Sequence, residues 1–138
     1  MKIQRYNPKE TNFSEKVFFI QSHGNNAGRP LKKPIPNSWK VETDKKNAFE
    51  ICFVVFHSKI LNLYIRGSVI PFISLREYRK IILPYMNNEL KCDDTFKKLH
   101  IIKQIDNDLD NLEKRKTLYK NLKSALSIEI LKKINAQL

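Results

Sequence analysis

The stretch that decides the fold is residues 105–134, IDNDLDNLEKRKTLYKNLKSALSIEILKKI. It contains no glycine or proline, and neither residue type occurs anywhere after Pro84. Eight of its large apolar residues recur at separations of three, four or seven, which places these eight on one face of a helix. They are Ile105, Leu109, Leu112, Tyr119, Leu122, Leu126, Ile130 and Ile134. At 1.5 Å per residue the stripe spans about 44 Å, longer than a domain of roughly a hundred residues is wide. We therefore predict a long C-terminal amphipathic helix that faces something beyond its own domain.

This apolar stripe predicts a partner helix. An exposed apolar face is buried either by a second copy of the same helix, in an antiparallel coiled-coil pair, or by a helix of another protein. We expect a homodimer and take Asp93 or Asp94 as the N-cap of the helix. The predicted dimerisation residues are Ile105, Leu109, Leu112, Tyr119, Leu122, Leu126 and Ile130.

The charge of the chain points to a polyanionic partner. Its 138 residues include 26 Lys and Arg against 14 Asp and Glu, a net charge of +12. Residues 1–84 hold 15 of the basic and 6 of the acidic residues, a net of +9, and residues 85–138 add +3. Such an excess is typical of nucleic-acid-binding proteins, because neutralised phosphates release their condensed counterions. The alternative is a basic surface that is merely solvated.

Composition also limits the architecture and the compartment. A hydrophobic fraction of 41% in 138 residues is enough for one modest core. We expect a basic domain at residues 1–84 and a helical arm at residues 85–138. The sequence has no run of roughly 18 apolar residues and no apolar leader, so we expect a cytoplasmic protein without a membrane partner. Cys52 and Cys92 have no CxxC partner, which argues against a disulfide framework or a zinc ribbon.

Two strands and one ambiguous segment are predicted in the basic domain. Residues 16–21, KVFFIQ, and residues 39–43, WKVET, have the β-branched and aromatic content of strands. Residues 48–61, AFEICFVVFHSKIL, suit either a strand or a buried helix. The length of this segment and the apolar residues on one of its faces favour the helix.

The end of the basic domain combines a strand signal with a helix start. Residues 69–73 suit an edge strand, where Pro71 is tolerable. Ser74 and Glu77 have the spacing of a capping box, which opens a helix that Pro84 closes. The predicted fold class is α+β: a small mixed domain with a few short strands and two helices, followed by the long C-terminal helix.

No constellation for catalysis is evident. The motifs GxxxxGK[ST], GxSxG and HExxH are absent, and the three histidines lie in separate segments. Glu42, Asp44 and Glu50 could hold Mg²⁺ in a small nuclease, although their spacing resembles no familiar nuclease core. We predict no catalytic residue, no metal site and no cofactor.

Residues 22–38, SHGNNAGRPLKKPIPNS, carry residue types suited to nucleic-acid recognition. Arg and Asn pair with base edges, and Lys and backbone N–H groups bind phosphates. Glycines would let the main chain approach a phosphate, and prolines would stiffen the loop. The alternative is that Asn and Gly only form turns here and that the prolines only make a rigid edge. The predicted nucleic-acid contacts in this loop are His23, Asn25, Asn26, Arg29, Lys32 and Lys33.

Residues 61–84, LNLYIRGSVIPFISLREYRKIILP, resemble the end of a target-recognition domain in the specificity subunits of type I restriction-modification enzymes. That family has a stretch of the form RGSTxPFISxxDLxxIxIPLP, followed by a long helix of the kind seen here. Corresponding positions are held by Arg66, Gly67, Ser68, Ile70, Pro71, Phe72, Ile73, Ser74, Leu75, Tyr78, Ile81, Ile82 and Pro84. The resemblance covers roughly residues 48–134.

This resemblance implies a DNA-binding target-recognition domain whose long helix pairs antiparallel with another such helix and docks on DNA methyltransferase subunits. Arg66 accordingly joins the predicted DNA contacts. The stretches FIQSHG and AGRPLKKPIPN, with RGSVIPFI, are also similar to a family of short basic proteins with no assigned function. The expected function is non-catalytic binding of duplex DNA. The alternatives are a protein-interaction adaptor with an incidental basic surface and a small metal-dependent nuclease.

Overall fold

A four-stranded antiparallel sheet organises the first part of the chain in the computed structural model, which describes residues 1–88 and 92–136. The strands lie in the order β1-β4-β2-β3. Ile20 pairs with Trp39, and Val41 stands between Phe18 and Ile3 in neighbouring strands, so these side chains share one face. The strand bounds are β1 Lys2–Arg5, β2 Val17–Gln21, β3 Pro30–Leu31 and β4 Ser38–Glu42.

Two helices cover this apolar face of the sheet. Helix α1 (Ala48–His57) and helix α2 (Leu75–Met86) enclose a core in which the side chains of Tyr78 and Ile82 have no exposed surface. A short 3-10 turn, Ile60–Leu63, follows α1. Residues 48–57 form a helix and not a strand because the buried residues Ala48, Ile51, Cys52 and Val55 have helical spacing, three or four positions apart.

The opposite face of the sheet is covered by the segment between β1 and β2. Tyr6 and Phe13 pack edge-on against Phe19, with ring centroids 5.5 Å and 5.0 Å from that of Phe19. The Lys40 ammonium bonds the Glu10 carboxylate at 2.6 Å on the same face. Both faces of the central strands are therefore shielded from water.

The remainder of the chain is a single helix, α3 (Asp93–Asn135). The chain divides into two compact units, residues 1–91 and 92–138. The predicted arm, residues 85–138, includes residues 89–91 and 137–138, which lie outside the described residues. None of the described helices is long and apolar enough to cross a membrane.

The predicted α+β class is confirmed, as are the elements predicted at residues 16–21 and 39–43, α1 and the long helix. The strand predicted at residues 69–73 is wrong. Val69 is 90% exposed and Ile70 is 61% exposed, and only Phe72 makes bridge contacts. Because Pro71 has no backbone N–H, this segment has one fewer donor for a sheet ladder.

Two predicted helix boundaries are also corrected. Pro84 lies inside α2 and does not end it, since the helix continues for two residues to Met86. Its missing N–H removes one hydrogen bond from the last turn. Cys92, and neither Asp93 nor Asp94, is the N-cap of α3, and it makes no side-chain capping bond. The two aspartates occupy the first turn, where their charge favours the helix dipole.

Candidate nucleic-acid interface

Two segments that are distant in sequence meet in the fold. We call residues 22–38 the recognition loop and residues 66–74 the RGS segment. The Gly24 N–H donates to the Pro71 carbonyl at 2.7 Å, and the Ile73 N–H donates to the Ser22 carbonyl at 3.1 Å. The His23 ring stacks on the Phe72 ring with centroids 5.7 Å apart and 21° between the planes. The start of the recognition loop thus continues β2 as a short antiparallel contact with the RGS segment.

A tight turn in the RGS segment brings Arg66 beside the same phenylalanine. Arg66 and Phe72 exchange two backbone hydrogen bonds of 2.8 Å, and Gly67 supplies the positive φ of 92° that the turn requires. Phe72 therefore has His23 on one side and Arg66 on the other. Directly opposed residues point to the same face, so at the spacing of paired backbones the Cα atoms of His23 and Arg66 lie about 10 Å apart, on either side of Phe72.

The guanidinium of Arg66 is anchored at the start of α2. Its Nη2 donates to Glu77 Oε1 at 2.6 Å, while Ser74 Oγ lies 2.9 Å from Glu77 Oε2 and accepts the Glu77 N–H at 3.2 Å. The predicted helix start at Ser74 is confirmed. The Arg66 side chain remains 70% exposed, and a guanidinium has five N–H donors, so it retains donors for a ligand.

A chain of hydrogen bonds fixes the tautomer of neutral His23. The Ser22 hydroxyl bonds the Asn37 carbonyl, which can only accept, so the single Ser22 proton is committed there. Ser22 Oγ also lies 2.8 Å from His23 Nδ1, which must then donate to it. The second ring nitrogen, Nε2, is the acceptor of the exposed neutral imidazole. This arrangement cannot activate Ser22 as a nucleophile, because His23 does not accept its proton.

A shallow depression beside His23 adds a basic residue that sequence analysis missed. The depression measures about 400 Å³. It adjoins a second one of about 460 Å³, and the two share Arg5, Asn37 and Ser38. Arg5 ends β1 opposite Trp39 and is exposed. No sequence motif marks Arg5, and only the pairing of β1 with β4 brings it to this site. The first depression is lined by Arg5, Ser22, His23, Asn37, Ser38 and Trp39.

The tip of the recognition loop is held by a β-bulge. Gln21 accepts from the Gly28 N–H at 2.7 Å and donates to the Arg29 carbonyl at 2.9 Å, so two residues oppose one. Gly28 has a φ of 92° and is buried, and a Cβ added to it would lie 2.4 Å from Leu61 Cδ1. Gly24 donates its N–H to Pro71. The two glycines therefore shape the loop, and the approach of the main chain to a phosphate stays a prediction.

The predicted contact residues of the recognition loop differ in exposure. Asn25, Asn26, Lys32 and Lys33 are exposed, and Arg29 is half-buried next to the bulge. The asparagines occupy a turn closed by the Ala27 N–H bond to the Gly24 carbonyl, at 3.0 Å. The lysines follow the edge strand β3 directly. Their side chains are accessible to a polyanion.

Helix α3 presents the predicted apolar stripe to solvent, since every residue from 107 to 136 is exposed. Leu112 is 57% exposed and Tyr119 is 70% exposed. On a helical wheel, six of the seven predicted residues fall within an arc of about 100°, and Leu122 lies about 40° outside it. The seven residues are Ile105, Leu109, Leu112, Tyr119, Leu122, Leu126 and Ile130.

The side chains whose pKa is shifted lie outside this site. Asp44 is bonded by the Lys16 ammonium, which lowers the pKa of the exposed carboxyl. Burial raises the pKa of the Cys52 thiol to about 12, and burial beside Cys52 raises the pKa of Tyr78. Backbone N–H groups of Asp94 and Thr95 lower the pKa of the exposed Cys92 thiol. Within residues 1–88 and 92–136, no group of three His, Cys, Asp or Glu side chains could hold a metal ion.

Comparison with known proteins reaches nearly the whole chain. A family model matches residues 3–129, which include the recognition loop, the RGS segment and most of α3. The chain belongs to DUF6943, a family of unknown function. No curated protein and no solved structure matches this DUF6943 chain. Both the recognition loop and the RGS segment, which contact each other, therefore lie within the region that matches DUF6943.

Proposed function

We propose that this DUF6943 protein binds duplex DNA without catalysing a reaction on it, in the manner of a restriction-modification target-recognition domain. The observation that carries the proposal is the cluster of cationic and aromatic groups where the recognition loop meets the RGS segment. His23 and Arg66 flank Phe72, and Arg5 lines the adjoining depression. The net charge of +9 in residues 1–84 supplies the long-range attraction.

Each group has a task that follows from its donors. Lys32 and Lys33 would hold backbone phosphates, because an ammonium on a flexible stem tolerates many phosphate positions. Asn25 and Asn26 would read base edges, since a carboxamide offers both a donor and an acceptor to adenine. Arg66, held at one nitrogen by Glu77, would direct its other donors to a guanine edge or to a phosphate.

The rest of the proposal concerns context and assembly. The protein acts in the cytoplasm, uses no cofactor and forms a homodimer through α3. The exposed apolar stripe over residues 105–130 also supports a second function, that of an adaptor whose α3 binds a different protein, such as a DNA methyltransferase subunit. Co-purification from the native host separates the two, because the adaptor would retain a protein partner after the DNA has been digested.

A salt series of duplex-DNA binding, measured by fluorescence anisotropy, tests the DNA proposal. The logarithm of the association constant should fall linearly with the logarithm of salt concentration between about 50 mM and 200 mM, with a slope near 0.9 per phosphate contact. The double variant Lys32→Ala and Lys33→Ala should weaken binding to every sequence. It should also lower the magnitude of the slope by the amount that corresponds to about two phosphate contacts. Failure to bind duplex DNA at low salt would refute the proposal.

A matched charge control and a base-reading variant complete the test. Lys132→Ala removes an exposed lysine from the last turn of α3 and should leave the slope unchanged. Asn25→Ala with Asn26→Ala should lower the ratio of specific to non-specific affinity while keeping the salt slope. Competition by single-stranded DNA and by duplex RNA identifies the preferred nucleic acid, and stronger binding to RNA would contradict the assignment to duplex DNA.

A further inference from the structure

Eight apolar residues on one face of α3 are arranged symmetrically along its length. The centre of the arrangement lies between Arg115 and Lys116, and these eight residues form four pairs at equal distances on either side of it. The pairs are Ile101 with Ile130, Ile105 with Leu126, Leu109 with Leu122, and Leu112 with Tyr119. All eight side chains are at least half exposed, so the described part of the chain leaves this face uncovered.

This symmetry matches one way of pairing two identical helices. In an antiparallel pair about a two-fold axis, every residue meets the residue at the same distance on the other side of the centre. The four pairs then form eight apolar layers, because each pair occurs twice. Residues 101 and 130 are eight helical turns apart, with a remainder of only about 20°. The apolar residues therefore stay on the same side of the helix over about 44 Å. Such a length is about four heptads, enough for a stable two-helix seam.

Charge distribution along α3 selects the same direction. Residues 106–113 contain four acidic and no basic residues, and residues 114–123 contain five basic and no acidic residues. Antiparallel pairing about the centre sets the acidic half against the basic half and brings Asp108 level with Lys123 of the other copy. Parallel pairing would instead place each half against its like, which is unfavourable.

The centre itself is the weak point of the seam. Arg115 there meets Lys116 of the second copy, and like charges repel. The Lys116 ammonium lies 3.3 Å from the Glu113 carboxylate of its own helix, which partly neutralises it. Long basic side chains also extend along an interface to reach water with their charged ends. The apolar layers on both sides therefore carry the association.

We propose that α3 pairs antiparallel with α3 of a second copy about a two-fold axis between Arg115 and Lys116, with Leu112 opposite Tyr119. This inference rests on the homodimer of the proposed function, keeps the antiparallel direction expected from the sequence and adds the two-fold axis and the register. It does not depend on DNA binding, so the two can fail separately.

Cysteine cross-linking in the full chain tests the register. The background carries Cys92→Ser, and Cys52 is retained because it is buried and its thiol has a pKa of about 12. Leu112→Cys combined with Tyr119→Cys should give a disulfide-linked dimer under mild oxidation, because each new thiol faces the other across the seam. Leu112→Cys alone should stay uncross-linked, because its copy lies about 10 Å away along the axis. Ile105→Cys with Tyr119→Cys is the mismatched control and should also fail to cross-link.

Sedimentation mass provides the independent measurement. The wild-type protein should sediment at twice the chain mass of 16.3 kDa. Leu112→Lys with Leu126→Lys should halve that mass, whereas Leu118→Lys, on another face of α3, should leave it unchanged. Three results would overturn the proposal. The wild-type protein could sediment as a monomer, the dimer mass could stay unchanged in the Leu112→Lys with Leu126→Lys variant, or Leu112→Cys alone could cross-link. The DNA-binding measurement is repeated on each variant, so that a lost dimer is not mistaken for a lost DNA site.

Discussion

Gly28 holds the recognition loop against the 3-10 turn after α1. It combines a φ of 92° with a distance of 2.4 Å between an added Cβ and Leu61 Cδ1. Substitution Gly28→Ala should therefore reduce the free energy of unfolding by about 2–5 kcal/mol, from backbone strain together with overpacking. Urea unfolding followed by Trp39 fluorescence measures the loss, because Trp39 lies in the core beside Tyr78.

Gly24 provides the matched control for this prediction. It has a similar φ of 90°, but an added Cβ would meet only the side-chain nitrogen of Gln21, at 3.2 Å. Gly24→Ala should thus lose only the part due to backbone strain, about 1–2 kcal/mol. Equal losses in the two variants would show that the contact with Leu61 contributes nothing.

Residue chemistry could nominate contact residues in the recognition loop, but it could not predict the geometry of the loop. Asn25, Asn26, Lys32 and Lys33 are exposed, as ligand contacts must be, and whether they bind DNA stays a prediction. The stacking of His23 on Phe72 joins positions 49 residues apart, and no local pattern reports such a contact.

Helix α2 shows how one element positions a candidate binding residue. Ser74 caps the helix and holds Glu77, which in turn bonds Arg66. Ser74→Ala should cost about 1 kcal/mol of stability, because it removes the N-cap acceptor. It should also weaken DNA binding through the loosened Arg66. Urea unfolding and anisotropy measure the two effects.

Ser68→Ala serves as the control for the cap. Ser68 lies in the same RGS segment and is exposed. Its replacement should change stability by less than about 0.5 kcal/mol. Ser74→Thr should keep most of the cap, since threonine also accepts the N3 hydrogen bond. A Ser74→Ala variant as stable as Ser68→Ala would contradict the contribution of the cap to stability, and unchanged DNA binding would contradict its support of Arg66.

The predictable elements are those whose signal is local. The stripe of α3 and the apolar spacing of α1 repeat within a few residues, so both were predicted. Strand β1 was missed because it has one large apolar residue, Ile3, and its partner β4 lies more than thirty residues away. Strand β3 is two residues long and begins with proline, which removes a ladder donor.

At the scale of the whole molecule, the basic excess and the apolar seam belong to different compact units. Residues 1–91 contain the sheet, the recognition loop and the RGS segment, and residues 92–138 contain α3. Local sequence patterns predicted a basic domain at residues 1–84 and a helical arm at residues 85–138. They could not predict the inclusion of Arg5 in the candidate site, which requires the complete strand order β1-β4-β2-β3.

Stability of the sheet-containing unit should fall in alkali. The Cys52 thiol has a pKa of about 12 in the folded protein against 9.0 for an unperturbed thiol. Between these values the unfolded chain has lost a proton that the folded chain keeps, so stability decreases as pH rises. The stabilisation by the protonated Cys52 thiol is fully present below about pH 9 and is lost as the pH rises through about 12. Over this range the free energy of unfolding falls by roughly 1.4 kcal/mol per pH unit.

The variant Cys52→Ala isolates this contribution. It should be less stable than the wild type at neutral pH, since it loses a buried sulfur. Between about pH 9 and pH 11 its free energy of unfolding should fall less steeply with pH than that of the wild type. The difference in slope corresponds to one proton, because the titrating thiol is gone. Urea unfolding of both proteins over this range gives the two slopes. Parallel slopes would contradict the raised pKa of Cys52.

The bulge in the recognition loop separates the residues that shape the loop from the residues that face solvent. Ser22, Ala27 and Gly28 are buried and set its backbone, whereas Asn25 and Asn26 are exposed at its tip. New side chains at the tip therefore leave the core contacts in place. Under the proposed function, laboratory variants at Asn25 and Asn26 should therefore exchange one DNA target for another on the same scaffold.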